Sequence, residues 1–77
     1  MFTHQQIWGG INTLAKENGY SASGLAVKAG LDATAFNKSK YFNKQGQPRW
    51  PSTESLTKVL HVTKTSLVDF ARLVERI

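Results

Sequence analysis

The side chains best suited to chemistry in this sequence are three hydrogen-bonding groups that follow one another closely, Thr34, Asn37 and Lys38. An asparagine amide can make a bidentate contact with adenine, a lysine ammonium can bond O6 and N7 of guanine, and a threonine methyl can contact thymine. On a helix these residues share one face with Tyr41, because they lie three and four positions apart. The spacing therefore predicts a surface that can read DNA bases; the alternative is an ordinary solvated polar face.

Other kinds of chemistry find little support. Cysteine is absent, which excludes disulfides, thiol nucleophiles and cysteine-based zinc sites. His4 and His61 are far apart and have no paired acids beside them, so we predict capping or surface roles for both and no metal site. The five acids are scattered, and no glycine-rich phosphate loop or activated nucleophile is visible. We expect a non-enzymatic chain that needs no cofactor.

Positive charge is concentrated around the polar side chains. The 77 residues carry ten Lys and Arg against five Asp and Glu, a formal net charge of +5. Residues 28–49 hold five basic residues and one acid, Asp32, so most of the net charge lies there. The basic residues of this segment are Lys28, Lys38, Lys40, Lys44 and Arg49. Such a cluster favours an anionic partner, either nucleic acid or an acidic membrane surface. No apolar run approaches the roughly 20 residues of a membrane span, so we expect none.

Two short helices around a glycine are predicted to position these side chains. Ser21 or Ser23 can cap the first helix, and Gly30 can end it because glycine tolerates a positive φ. Asp32 can then cap a second helix that turns Phe36 inward. The sequence therefore predicts helix, tight turn, helix.

The residues at the corner carry a family resemblance. Ala26 is small enough to let two helices approach, Gly30 follows at the turn, and Leu31 and Phe36 can fill the corner from inside. With one helix before it and two after it, this motif resembles the helix-turn-helix of the phage lambda-repressor and Cro-like regulators, whose second helix enters the DNA major groove. The resemblance implies an all-α, five-helix DNA-binding domain over the whole chain, with the motif at helices 2 and 3. It is closest to amino-terminal domains of phage-type repressors, which leaves open a continuation into a further domain.

The resemblance also implies particular contacts. In that family, base contacts cluster at the first residues of the second helix and again one turn later. The residues at those positions here are Asp32, Ala33, Thr34, Asn37 and Lys38. Contacts with the DNA backbone are expected from Ser21, Ser23, Lys28, Lys40, Tyr41, Lys44 and Arg49. For the two serines, a capping role alone is the alternative. Ser39 stands where the family often has an apolar anchor, which favours an early end of the second helix.

The longest connection, residues 41–51, is predicted to be a surface loop. Gly46 and Pro48 indicate a turn at its tip, and Lys44 and Arg49 would then face solvent and the phosphate backbone. Three aromatic residues are expected to pin its ends to the core: Tyr41, Phe42 and Trp50. The alternative is an ordinary loop whose aromatic residues complete the core and whose charges have no partner.

Three further helices follow from caps and apolar periodicity. The expected caps of the first, fourth and fifth helices are Thr3, Ser52 and Ser66. Gly9 and Gly10 lie inside the first helix, where we predict that another helix comes close. The fifth helix has more apolar positions than one small core requires, so Leu73 and Ile77 are predicted dimer contacts. The alternatives are a purely intramolecular role and a cover formed by sequence beyond residue 77.

Taken together, these features predict sequence-specific binding of double-stranded DNA by a homodimeric transcriptional regulator. Repression rests on the resemblance alone, and the lack of a secretory signal pattern leads us to expect a cytoplasmic location. A protein-interaction module, such as an antitoxin that uses the fifth helix, is the alternative. The basic cluster speaks against it, because an adaptor has no need to concentrate charge. RNA binding is less favoured, since only Tyr41 and Phe42 suggest exposed stacking aromatics.

Overall fold

The computed structural model describes residues 2–77, and within that range it contains four α-helices and one 3₁₀ turn. The helices are α1 (His4–Glu17), α2 (Ala22–Lys28), α3 (Thr53–Val62) and α4 (Leu67–Glu75), and the 3₁₀ turn covers Lys38–Lys40. An isolated antiparallel bridge joins Phe42 to Pro48. The predicted all-α class is confirmed. None of the described helices has the length and apolar character needed to cross a membrane.

Each α-helix begins at a side-chain cap. The caps are Thr3, Ser21, Ser52 and Ser66. Thr3 and Gln6 exchange two hydrogen bonds, of 3.1 and 2.9 Å, which complete the predicted capping box. Ser21 caps α2 by accepting from the backbone N–H of Gly24 at 3.0 Å, so Ser23 is not the cap.

The four largest fully buried side chains of the core come one from each α-helix. These residues are Ile11, Leu25, Val59 and Val74. Helix α1 packs against both α4 and α2, and α2 packs against α3. Gly10 lies at the contact between α1 and α4, where the side chains of Val74 and Phe70 leave little room for a β-carbon. The close approach predicted from the paired glycines therefore involves side chains of α4.

The predicted second helix of the motif does not form as an α-helix. Residues 33–36 make turns, Asn37 is extended with φ −67° and ψ 151°, and the 3₁₀ turn follows. The backbone hydrogen bonds here are short-range: the N–H groups of Ala35 and Asn37 donate to the carbonyls of Asp32 and Thr34, each three residues back. The described residues thus contain four α-helices where five were expected. We call residues 32–40 the turn segment.

Local side-chain chemistry explains why the turn segment is not an α-helix. The Asp32 carboxylate accepts from the backbone N–H and the hydroxyl of Thr34, two residues on, and so closes a local turn. Asn37 and Ser39 add residues of lower helix propensity than Ala, although neither side chain hydrogen-bonds the backbone of residues 2–77. Ser39 also lacks an apolar side chain whose burial in the core would stabilise a helix here. Ser39 led us to expect a shortened second helix. The structure has turns and a 3₁₀ turn in place of that helix.

The predicted dimer contact at Leu73 is wrong for this chain as folded. Leu73 is only 5 % exposed and belongs to the core. Ile77 is half-exposed, and its side chain lies beside Gly9 of α1. The freely exposed apolar residues of α4 are instead Leu67 and Val68, at its first turn. The apolar periodicity of the sequence grouped Leu67 with the core face of α4, whereas the structure exposes it.

Candidate functional site

All five predicted base-reading residues are exposed and lie together on the turn segment. They are Asp32, Ala33, Thr34, Asn37 and Lys38. Phe36, which lies between them in sequence, is 3 % exposed and packs its ring edge-on to Trp8 of α1, with the ring centroids 6.3 Å apart. The buried phenyl ring therefore anchors the turn segment, and the polar side chains face solvent.

Asp32 and Thr34 are engaged with each other. The Asp32 carboxylate accepts from the backbone N–H of Thr34 at 2.9 Å and from its hydroxyl at 2.8 Å. These two hydrogen bonds, with a smaller contribution from the positive charge of Lys40, hold the pKa of Asp32 below its ordinary value. Asp32 therefore stays ionised near neutral pH. It can accept from the N4 amino group of cytosine but would repel a phosphate.

Asn37 and Lys38 are available to a partner. Within residues 2–77 neither side chain makes a hydrogen bond or an ion pair, and both are exposed. Asn37 precedes the 3₁₀ turn and does not cap it through its side chain. Their amide and ammonium groups therefore bind nothing in the folded chain.

The surface loop that follows is a compact hairpin. The Asn43 side-chain oxygen accepts from the backbone N–H groups of Gln45 and Gln47, both at 2.9 Å, and the Asn43 N–H donates to the Gln47 carbonyl. Gly46 has φ 79°, as the predicted turn requires. Pro48 lies opposite Phe42 in the bridge and not at the tip. The exposed Lys44 is thus carried on a defined turn.

Two side chains of α1 hold both ends of the hairpin. His4 Nε2 lies 2.7 Å from the Tyr41 carbonyl oxygen, and Trp8 Nε1 donates to the Arg49 carbonyl at 2.8 Å. Because a carbonyl only accepts, the contact with Tyr41 is a hydrogen bond when Nε2 of His4 carries the proton; Trp8 Nε1 lies 3.1 Å from the same nitrogen. The Arg49 N–H closes the hairpin by donating to the Tyr41 carbonyl. The loop is therefore fixed relative to α1.

One prediction for this region is wrong. His4 is not a surface residue, because it is only 8 % exposed, and the cap of α1 is Thr3. Tyr41 is partly buried: its ring stacks on Trp8 at 4.6 Å and its hydroxyl accepts from the Asn12 side chain at 2.8 Å. Its contact with the DNA backbone stays a prediction. The four-residue spacing of His4 and Trp8 shows that they share one helical face, but it does not show that the hairpin binds there.

Shallow depressions lie on both sides of the turn segment. One, of about 460 Å³, is lined by residues that include Ser21, Ser23, Lys28 and Ala33. The other, of about 270 Å³, brings together Ala35, Lys40, Arg49 and Trp50 with the start of α3. Five of the seven predicted backbone-contacting residues therefore border the turn segment, and Lys44 lies at the hairpin tip.

The basic residues of this region are not neutralised. The ion pair that the described residues contain joins Lys58 to Glu54 on α3, outside the segment 28–49. Lys28, Lys38, Lys44 and Arg49 are exposed, while Lys40 is partly buried. Between residues 33 and 53 the sequence has no acid. A positive potential therefore surrounds the turn segment.

Comparison of the chain with known protein families, with curated proteins and with solved structures gives no match.

Proposed function

We propose that this chain binds double-stranded DNA through the turn segment, in sequence-specific fashion, as part of a phage-type transcriptional repressor. Helix α2 would correspond to the first helix of the helix-turn-helix motif, and the turn segment would correspond to the second. The 3₁₀ turn would lie where members of the family have the second α-helix. The observation that carries the proposal is the exposure of Asn37 and Lys38, without partners, on an acid-poor and basic surface. These groups can form bidentate contacts with base edges in the major groove.

The contacts divide into two kinds by chemistry. Asn37, Lys38 and Thr34 are the proposed base readers, with Asp32 as an acceptor that orients Thr34. The surrounding cations and serine hydroxyls are proposed to contact phosphates, which sets position and affinity but carries no sequence information. Two copies would place their turn segments in successive major grooves about 34 Å apart, so a near-palindromic site is expected.

Neutralising the basic residues should weaken binding to every duplex and lower its salt dependence. For Lys44→Gln and Arg49→Gln we expect the slope of log affinity against log salt to fall by roughly 0.9 for each phosphate that the variant no longer neutralises. Fluorescence anisotropy with a random-sequence duplex over a range of salt concentrations would measure this slope.

Lys16→Gln is the matched control, because Lys16 is exposed on α1 and its substitution removes the same charge outside the segment 28–49. Its slope should equal that of the wild type. An equal reduction in all three variants would mean that only net charge matters, and an unchanged slope in both loop variants would remove the hairpin from the interface.

A protein-interaction module is the second candidate, because Leu67 and Val68 are adjacent exposed apolar residues at the start of α4. On that account the basic segment would be dispensable for function, and Leu67 with Val68 would carry the binding. The homodimer contact itself stays a proposal, with Ile77 and this first turn of α4 as its available apolar surface.

A further inference from the structure

Two large aromatic side chains of the hairpin remain on the surface. Trp50 is 55 % exposed and Phe42 is 46 % exposed, whereas both were expected to pin the loop to the core. Their rings flank the same His4 imidazole, with centroids 5.1 Å from it for Phe42 and 5.8 Å for Trp50. We call Phe42 and Trp50 the aromatic patch. Two exposed aromatic rings placed against one buried side chain are a candidate binding surface.

The backbone that carries the aromatic patch is held in place. The residues next to it, Tyr41 and Arg49, are bound through their carbonyls to His4 and Trp8, and Phe42 itself is bridged to Pro48. A partner that stacks on these rings would therefore lose little binding energy to ordering of the protein.

The charges around the aromatic patch indicate what that partner is. Lys40 and Arg49 share a depression with Trp50, and Lys44 lies at the hairpin tip, with no acid between residues 33 and 53. Exposed rings surrounded by cations can bind a polymer that carries both flat aromatic groups and regularly spaced negative charges. The aromatic groups would stack on the rings, and the negative charges would lie near the cations. Single-stranded DNA has this chemistry, whereas paired bases in a duplex hide their faces.

We propose that the protein also binds single-stranded DNA, with unpaired bases stacked on Phe42 and Trp50 and with the flanking phosphates near Lys40 and Arg49. This activity goes beyond the proposed duplex site, because it uses aromatic faces that a base-paired helix does not engage. Cationic side chains bind both single-stranded and double-stranded DNA, but only unpaired bases can stack on the exposed rings.

Tryptophan fluorescence can test this directly, because the two tryptophans differ in exposure. Trp8 is buried and Trp50 is exposed. Oligothymidylate should quench the emission of Trp50 in the wild type, and inorganic polyphosphate should not, since it offers charge without bases. Equal quenching by polyphosphate would overturn the proposal, and this measurement needs no variant to fold.

Substitution gives the second test. Trp50→Leu and Phe42→Leu each remove a stacking ring at constant charge, so we expect roughly tenfold or greater loss of oligothymidylate affinity and at most about a twofold change for a blunt random duplex. Phe2→Leu, which removes an exposed ring outside the aromatic patch at constant charge, is the control and should change neither.

Three results would contradict the proposal: unchanged oligothymidylate binding in both leucine variants, equal losses for single strand and duplex, or tighter binding of oligouridylate than of oligothymidylate. The last would assign the surface to RNA. A failure of the duplex proposal would appear separately, as a lack of sequence preference among duplexes, and would leave these outcomes unaffected.

Discussion

Phe36→Ala should lower the free energy of unfolding by about 3 to 5 kcal/mol, as expected for truncation of a large buried aromatic residue. Phe36 is the buried residue of the turn segment, where short-range hydrogen bonds replace an α-helix. Its phenyl ring contacts Trp8, which in turn binds the Arg49 carbonyl of the hairpin. Loss of this ring should therefore also loosen the surface that carries Asn37 and Lys38.

Denaturant unfolding followed by circular dichroism would measure this effect. Phe42→Ala is the matched control, because it removes the same side chain from a half-exposed position and should cost much less. A loss below about 1 kcal/mol for Phe36→Ala would show that the turn segment is not held by this ring.

Gly10→Ala and Gly9→Ala should change stability in opposite directions. A β-carbon at Gly10 would lie 2.7 Å from Cγ2 of Val74, a fully buried and branched side chain that cannot move aside. We expect overpacking to outweigh the gain in helix propensity of about 1 kcal/mol, for a net loss of about 1 to 2 kcal/mol.

At Gly9 the same methyl group would meet only the half-exposed Ile77 side chain at 3.3 Å, which can shift. Gly9→Ala should therefore stabilise the protein by up to about 1 kcal/mol. Thermal unfolding of the two variants side by side would show the sign of each change. Stabilisation by both would mean that α1 and α4 are less tightly packed than described.

The sequence predicted the helices wherever a short local signal determines them. Thr3, Ser52 and Ser66 are caps as expected, because a hydroxyl before an apolar stripe satisfies a free backbone N–H group. Gly30 ends the motif helix as expected and has φ 78°. The apolar periodicity assigned four core residues to the apolar faces of their helices: Ile11, Leu25, Val59 and Val74. It did not show that these faces pack together in one core, because that depends on the tertiary structure.

The sequence was misleading where two local preferences compete or where burial depends on distant residues. Asp32 can cap a helix or close a turn with Thr34, and nothing local decides between them. His4 was predicted at the surface and is buried, whereas Trp50 was predicted in the core and is exposed. The reason is that the His4 ring packs under the hairpin, with the Trp50 ring on its outer side. The contacts of His4 with Tyr41 and Trp50 join residues 37 and 46 positions apart, so no local pattern could reveal them.

The exposure of two predicted base-reading residues was predicted better than the element that carries them. Asn37 and Lys38 were expected on the outer face of a helix and are exposed on a turn, since Phe36 faces inward in either conformation. Selection of bound duplexes from a random DNA pool would test whether these side chains read bases.

Selection should be run in parallel with the wild type and Asn37→Ala. We expect the wild type to enrich a near-palindromic site whose half-sites are about one helical turn apart, and Asn37→Ala to lose the preference at the base pairs that Asn37 contacts in each half-site. A wild-type pool without any consensus, or an Asn37→Ala pool with the same consensus as the wild type, would contradict base reading by the turn segment.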